Sequence, residues 1–361
     1  INVFEAAKKK DGPIVIHVVT KKGKGYKPAE EDKNGKWHGV GKFDVKTGEM
    51  LSSIPENYKT YSQIVADKVL EIMDRDEKVT AITPAMISGS CMNNMFAKYP
   101  KRCFDVGIAE DHAITFACGM ALEGLRPFVS VYSSFLQRAY DQLNHDVCRM
   151  NLPVVIGVDR CSIIGEDGDS HQGVFDISYM NSLPNMVIAE GKNSSQIEAL
   201  LDLAFSQTSP FAIRYPRGSI EYNCDCKCDV TLGKWEFVVN NIDSKVSIIT
   251  YGNDVCKIEK DINDNHLPYN LINALFIKPI DEEMLVSIGK LNKPIVVYTN
   301  DIIKGGLGDS ILECLNKNQI NVPVYILGVD DIYVKHGSVL KVKESLGLDL
   351  NSLYHFIESI C

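Results

Sequence analysis

From Tyr61 onward the chain alternates short apolar runs with longer stretches whose apolar residues recur every three or four positions. YSQIVADKVLEIMDR (61–75) predicts a helix and VTAIT (79–83) a strand. AEDHAITFACGMALEGL (109–125) predicts a second helix, with the carboxylates of Glu110 and Asp111 at its mouth. PFVSVYSS (127–134), PVVIGVDR (153–160) and PFAIRYPRG (210–218) predict strands, separated by helices over LQRAYDQLNHDVCRM (136–150) and SSQIEALLDLAFSQ (194–207). Alternation of this kind makes an α/β fold, a parallel sheet covered by helices.

A polar stretch, Glu221 to Asp229, separates this series from a second one. The second contains VSIITYG (246–252), YNLINALFIKPI (269–280), PIVVYTND (294–301), a helix after GGLGDS (305–310), and VPVYILGV (322–329). The boundary is therefore expected near 221–232, with α/β domains over 57–222 and 230–361. Ahead of them, Ile14 to Val19 predicts one strand followed by a Gly/Lys-rich loop. A lone strand forms no core, so 1–56 is expected to be the tail of another domain plus a linker.

Composition narrows the picture. With 361 residues and 45% hydrophobic content the chain suits two globular domains, and no run of about 18 apolar residues suggests a membrane span. A net charge of -9 argues against nucleic acid as the main partner, while leaving room for a small anion held by local arginines. Eleven cysteines are scattered rather than framed for disulfides, which fits a reducing, cytoplasmic setting. Cys224, Cys226 and Cys228 alternate and would share one strand face, but zinc sites usually space their ligands C-x2-C. A polar linker is the plainer account.

Ligands of open α/β sheets bind beyond the carboxyl ends of the strands, which directs attention to Tyr132–Arg138, Arg160–Gln172 and Arg214–Gly218. VDRCSIIGEDGDSHQGVFD (158–176) is long for a loop in a compact domain, a sign of function. It carries Arg160, Asp167 and His171; a histidine there suits proton transfer and is otherwise a surface residue. Arg160 and Arg217, each following a strand, are expected to converge above the sheet. Their guanidinium forks match a phosphate or, alternatively, structural carboxylates. Tyr132 and Phe135 sit where aromatic faces can stack a planar ring, although Phe135 alone is as well explained as core.

Taken together, VGIAEDHAITFACGMALEGLRPFVSVYSSFLQRAYDQLNHDV, DRCSIIGEDGDSHQGVFDISY and RYPRG resemble the 1-deoxy-D-xylulose-5-phosphate synthases, thiamine-diphosphate enzymes of the transketolase superfamily. KKGKGYKPAE and WHGVGKFD upstream, and FIKPIDEEML, GGLG and HGS downstream, fit the same pattern, so the resemblance covers nearly the whole chain. It implies a pyrimidine-binding domain followed by a transketolase C-terminal domain. It also implies condensation of pyruvate with D-glyceraldehyde 3-phosphate, with loss of CO2, in a homodimer. Glu110 resembles the glutamate that hydrogen-bonds N1′ of the cofactor's aminopyrimidine, and Phe135 the residue stacking on that ring. Arg160 and Arg217 resemble the clamp on the acceptor phosphate. Tyr132, Asp167 and His171 match positions of the substrate pocket, and Arg138 matches a contact to pyruvate or an intermediate. His38 and Lys22 resemble residues near the thiazolium and the diphosphate. The family's GDG…N signature, which holds Mg2+ and the diphosphate, has no counterpart in the sequence and is expected before Ile1. Two alternatives stay open: a β-type chain of a two-chain 2-oxo-acid dehydrogenase, and a catalytically dead transketolase-like binding module.

Overall fold

A computed structural model describes the chain except for residues 33–36, 38–39, 52–53 and 223–227. It divides into two compact units, Ile1–Ile54 and Pro55–Cys361. In the first, Tyr26, Trp37 and Phe43 form an aromatic cluster, with centroids 5.0 Å apart for Tyr26–Trp37 and 4.9 Å for Trp37–Phe43. The expected strand over Ile14–Val19 is not formed: this stretch is irregular, with Val15 and Val19 exposed. An apolar run becomes a strand only where a neighbour takes its backbone hydrogen bonds, and none of the described ladders includes it.

The second unit is built on two main sheets. Its strands are β1 (Tyr58–Thr60), β2 (Val79–Thr83), β3 (Cys103–Asp105), β4 (Arg126–Tyr132), β5 (Val155–Cys161), β6 (Val187–Glu190), β7 (Phe211–Pro216), β8 (Ser219–Glu221), β9 (Glu236–Val239), β10 (Val246–Thr250), β11 (Tyr269–Asn273), β12 (Phe276–Lys278), β13 (Ile295–Ile302) and β14 (Val324–Val329). The larger sheet runs β12-β6-β7-β5-β4-β2-β3, and the smaller β14-β13-β10-β11-β9. The pairings of β2 through β7 are parallel.

Both faces of the larger sheet are covered, which is why its strands are mainly apolar rather than alternating. Phe128, Val155, Phe211 and Ile213 pack with the helices Tyr61–Arg75 and Ser194–Ser206. Val129, Val131, Ile156 and Val158, one residue out of phase, pack with Glu110–Leu122 and the segment after β4. Local signals set the helix ends. Thr60 caps Tyr61–Arg75 by accepting from the Gln63 amide at 3.1 Å. Gly124, at φ 82°, lets the Leu125 amide reach back to the Met120 carbonyl at 3.0 Å and closes Glu110–Leu122.

Two expectations need correcting. The helix over 136–150 is a chain of short turns: Ser133–Leu136 α-helical, Gln137–Ala139 3₁₀, Tyr140–Gln142 α-helical, and Leu143–Cys148 a π-turn. Leu136, Ala139, Leu143 and Val147 still face the core, so the tightening and loosening preserve burial while re-aiming the residues between them. YNLINALFIKPI does not stay in the second series either. It breaks after Asn273, and β12 pairs antiparallel with β6 at the edge of the first sheet. An open edge leaves backbone groups unpaired, and β12 covers it: the Glu190 amide donates to the Leu275 carbonyl at 3.0 Å. The two α/β series therefore share a sheet.

Candidate functional site

The mouth of the Glu110–Leu122 helix is shaped by Asp105, the last residue of β3. Its Oδ1 accepts from the amides of Ala85 (2.8 Å) and Gly107 (2.9 Å), and Gly107 sits at φ 71°, a conformation that suits glycine. This turn delivers Glu110 as the first helical residue, 4% exposed, while Asp111 and His112 face outward. Near the positive end of a helix a carboxylate is favoured. The Glu110 carboxylate accepts from Arg138 Nη1 at 3.3 and 3.2 Å. Arg138, expected to contact substrate, thus lies on Glu110, with its guanidinium 5.8 Å from the Phe135 ring centroid. The broken helix after β4 aims Arg138 and Phe135 to this side.

Beyond the carboxyl ends of β4, β5 and β7 the other predicted residues come together. Tyr132 and Phe135 stack with centroids 5.5 Å apart and planes 20° apart. The His171 ring stands edge-on to Phe135 at 5.3 Å, its Nδ1 2.9 Å from Ser170 Oγ. The Arg160 guanidinium lies 4.2 Å above the Tyr132 ring, and burial pushes the Tyr132 hydroxyl up to about 12. Arg160 Nη1 is paired with Asp167 Oδ2, and Arg217 Nη1 lies 3.3 Å from Asp167 Oδ1 and 3.5 Å from Glu166. The two arginines converge as expected, and the group between them is the Asp167 carboxylate.

Lys22 lies in an exposed turn of the N-terminal unit, and His38 falls outside the described residues. So do Cys224 and Cys226, leaving only Cys228 of that cluster in view. Among the described residues no group of three or more His, Cys, Asp or Glu is arranged to hold a metal ion.

Several residues of the site are not among those expected. Gln172 is buried: its Oε1 accepts from the amides of Ile164 (2.9 Å) and Gly165 (3.2 Å), shaping the loop that carries Asp167. Asp159, one residue before Arg160, is fully buried and accepts a hydrogen bond from Ser62 Oγ at 2.8 Å. Burial pushes its carboxyl up to about 7. Beneath the loop Arg214 is enclosed by Asp176, Glu190 and Asp301. The available signal was an ionisable residue inside an apolar strand run, as in FAIRYP and VIGVDRC.

Comparison with known proteins gives a consistent result. Residues 57–222 match the family model described as transketolase, pyrimidine binding domain, and 233–353 match transketolase, C-terminal domain. The chain is 42% identical over 360 residues to 1-deoxy-D-xylulose-5-phosphate synthase of Listeria monocytogenes, covering 98% of this chain and 59% of that protein. It is 45% identical over 350 residues to the synthase of Clostridium tetani, covering 96% and 56%. The chain thus spans little more than half the length of these relatives. Among solved structures, a split-gene transketolase described as an inactive beta4 tetramer matches with a TM-score of 0.72 at 24% identity, covering 83% of this chain and 97% of that one. Transketolase from Campylobacter jejuni matches with a TM-score of 0.67 at 16% identity, covering 85% and 48%. These two show the fold.

Proposed function

Because the chain belongs to the transketolase family, carrying its pyrimidine-binding and C-terminal domains, we propose that it supplies those two domains to a thiamine-diphosphate-dependent 1-deoxy-D-xylulose-5-phosphate synthase. The reaction joins pyruvate to D-glyceraldehyde 3-phosphate with loss of CO2, the first step of the non-mevalonate isoprenoid route. The observation that carries this is the convergence of Arg160 and Arg217, from two strand ends, on a single anionic group beside Tyr132, Phe135 and His171. A substrate phosphate presents the same sign of charge, nearer two negative charges than one, and a better match to two guanidinium forks than one carboxylate does.

The residues fit the pyrimidine half of the cofactor. Glu110 offers a buried carboxyl at a helix mouth, and Phe135 a half-buried aromatic face, the two linked by Arg138. Bound thiamine diphosphate supplies the carbon nucleophile and the electron sink that decarboxylation needs. Glu110 would hold a proton at N1′ of the aminopyrimidine. Phe135 orients the ring. Arg160 and Arg217 bind the acceptor's phosphate, displacing Asp167. His171 delivers a proton to the oxygen of the acceptor carbonyl as the new carbon–carbon bond forms. Among the described residues no group of three or more His, Cys, Asp or Glu is arranged to hold Mg2+.

The test supplies the full-length protein with pyruvate and D-glyceraldehyde 3-phosphate and follows 1-deoxy-D-xylulose 5-phosphate and CO2 in equal amounts. No sugar product, with acyl transfer to lipoamide instead, would favour a 2-oxo-acid dehydrogenase chain. Within the assay, Arg217→Leu is expected to raise KM for glyceraldehyde 3-phosphate by ~10–100-fold, the loss of one charge-assisted hydrogen bond. The KM for pyruvate stays unchanged.

A second copy of the chain covers the outer face of Glu110–Leu122. That helix is mostly apolar, as buried helices are, yet its last residue, Leu122, is 62% exposed, as is Ile108 just ahead of it at 79%. Sedimentation equilibrium at micromolar concentration is expected to give twice the chain mass of the protein used, and a monomer mass sinks the assignment.

A further inference from the structure

The arginine assigned to the acceptor phosphate stands on an unusual piece of backbone. Arg160 is at φ 58° and Ser162 at φ 63°, both in the left-handed region that side-chain-bearing residues avoid. The pairing of β5 with β7 shifts register between Asp159 and Cys161, so the chain bulges at Arg160. A bulge at a strand end re-aims the side chain it carries. Here it sets the Arg160 guanidinium over Tyr132 and against Asp167. Two strained residues in three persist only where the surroundings over-determine them.

The restraint comes from the far side of the 221–232 boundary. Asp301, near the end of β13, is 1% exposed and has both oxygens engaged. Its Oδ1 accepts from Arg214 Nη2 at 2.7 Å. Its Oδ2 accepts from Ser162 Oγ at 3.1 Å and from the Tyr251 hydroxyl at 2.6 Å. Arg214 Nη2 also reaches Ser162 Oγ at 3.5 Å. The next amide, of Ile302, donates to the Val174 carbonyl at 3.0 Å, beside the Ser162–Gly173 bridge that closes the loop. Further along, the Gly337 amide donates to the Gly165 carbonyl at 3.4 Å, and a Cβ on Gly165 would meet the Gly337 carbonyl oxygen at 2.6 Å. The loop bearing Arg160, Asp167 and His171 is thus seated on residues 301, 302 and 337.

We propose that Asp301, in the C-terminal domain, is a positioning residue for the acceptor-phosphate arginine: through Ser162 and Arg214 it holds the strained 160–162 turn that aims Arg160. The inference rests on the assignment of Arg160 and Arg217 to the phosphate. It gives the C-terminal domain a part in acceptor selection without placing any of its residues on the substrate.

The full-length enzyme tests it, with D-glyceraldehyde 3-phosphate and unphosphorylated D-glyceraldehyde as competing acceptors. Wild type is expected to prefer the phosphorylated acceptor strongly in kcat/KM; no preference overturns both the phosphate assignment and this inference. Asp301→Asn, which must turn an amide group toward donors, is expected to lower that preference at least tenfold. It does so through KM for the phosphorylated acceptor, leaving KM for pyruvate and turnover of the plain aldehyde unchanged. Ser162→Ala removes one hydrogen bond and no charge, and is expected to shift the same ratio severalfold, so the test survives if Asp301→Asn fails to fold. Tyr251→Phe removes the other donor to the same oxygen and leaves the turn alone; its ratio stays at the wild-type value. A wild-type ratio in folded Asp301→Asn and Ser162→Ala, or an equal fall in Tyr251→Phe, overturns the positioning role while the phosphate assignment stands.

Discussion

Glu110→Gln in the full-length enzyme is expected to reduce kcat by ~10²–10⁴-fold, the range for a positioned acid–base group, with KM for glyceraldehyde 3-phosphate nearly unchanged. Glutamine keeps the volume and the position at the head of the helix. It cannot hold a shared proton at a ring nitrogen, and its amide turns a donor toward Arg138 or toward the ring. The pairing with Arg138 is half in solvent, with the arginine side chain 59% exposed, and such pairs contribute little to stability. The variant should therefore melt with wild type while failing to turn over. Steady-state kinetics beside a thermal melt check this; a kcat within threefold of wild type removes Glu110 from the mechanism.

Arg214→Met is expected to cost about 3–5 kcal/mol of stability near pH 8, the penalty for leaving buried charges without their partner. Arg214 is fully buried: Nε and Nη2 engage Asp176 at 2.6 and 3.1 Å, Nη1 engages Glu190 at 2.5 Å, and Nη2 engages Asp301 at 2.7 Å. Three carboxyl groups face one cation, so the cluster is short of positive charge even in wild type. Burial, together with the Asp301 and Asp176 carboxyls, pushes Glu190 up to about 7 against the pull of Arg214.

The direction of the pH effect follows from that shift. A carboxyl raised in the folded state contributes stability that is complete below its ordinary value, 4.5, and lost as pH rises through about 7. Glu190→Gln, neutral at every pH, should melt with wild type at pH 5 and a few degrees above it at pH 8. Arg214→Met should recover part of its loss toward pH 5. Circular dichroism melts across this range check both, and parallel profiles for wild type and Glu190→Gln would show that Glu190 does not titrate there.

Much of this molecule was legible before its structure. The predicted bounds of Tyr61–Arg75 and Val79–Thr83 agree with the observed ones, because a capped amphipathic helix and a short apolar strand are local patterns. The gathering of Tyr132, Phe135, Arg160, Asp167, His171 and Arg217 followed from one topological rule about the strand ends of open sheets. Non-local matters were not legible. Ile14 to Val19 has the composition of a strand but no partner, and β12 joins the sheet of the preceding domain because an edge there needed covering.

Residue order and chemistry by themselves determined the α/β alternation, the placing of polar loops after strands, and the set of side chains able to handle a phosphate and a ring nitrogen. Tertiary structure alone decided how those side chains are held. That Arg138 lies on Glu110, that Asp167 sits between two arginines, and that Asp301 braces a turn 139 positions away depend on distances between segments remote in the chain. Periodicity reports which face of an element is buried. Only the packed molecule shows which charges meet once that face is closed, and in a low-dielectric interior those meetings govern where protons reside and which backbone strain survives.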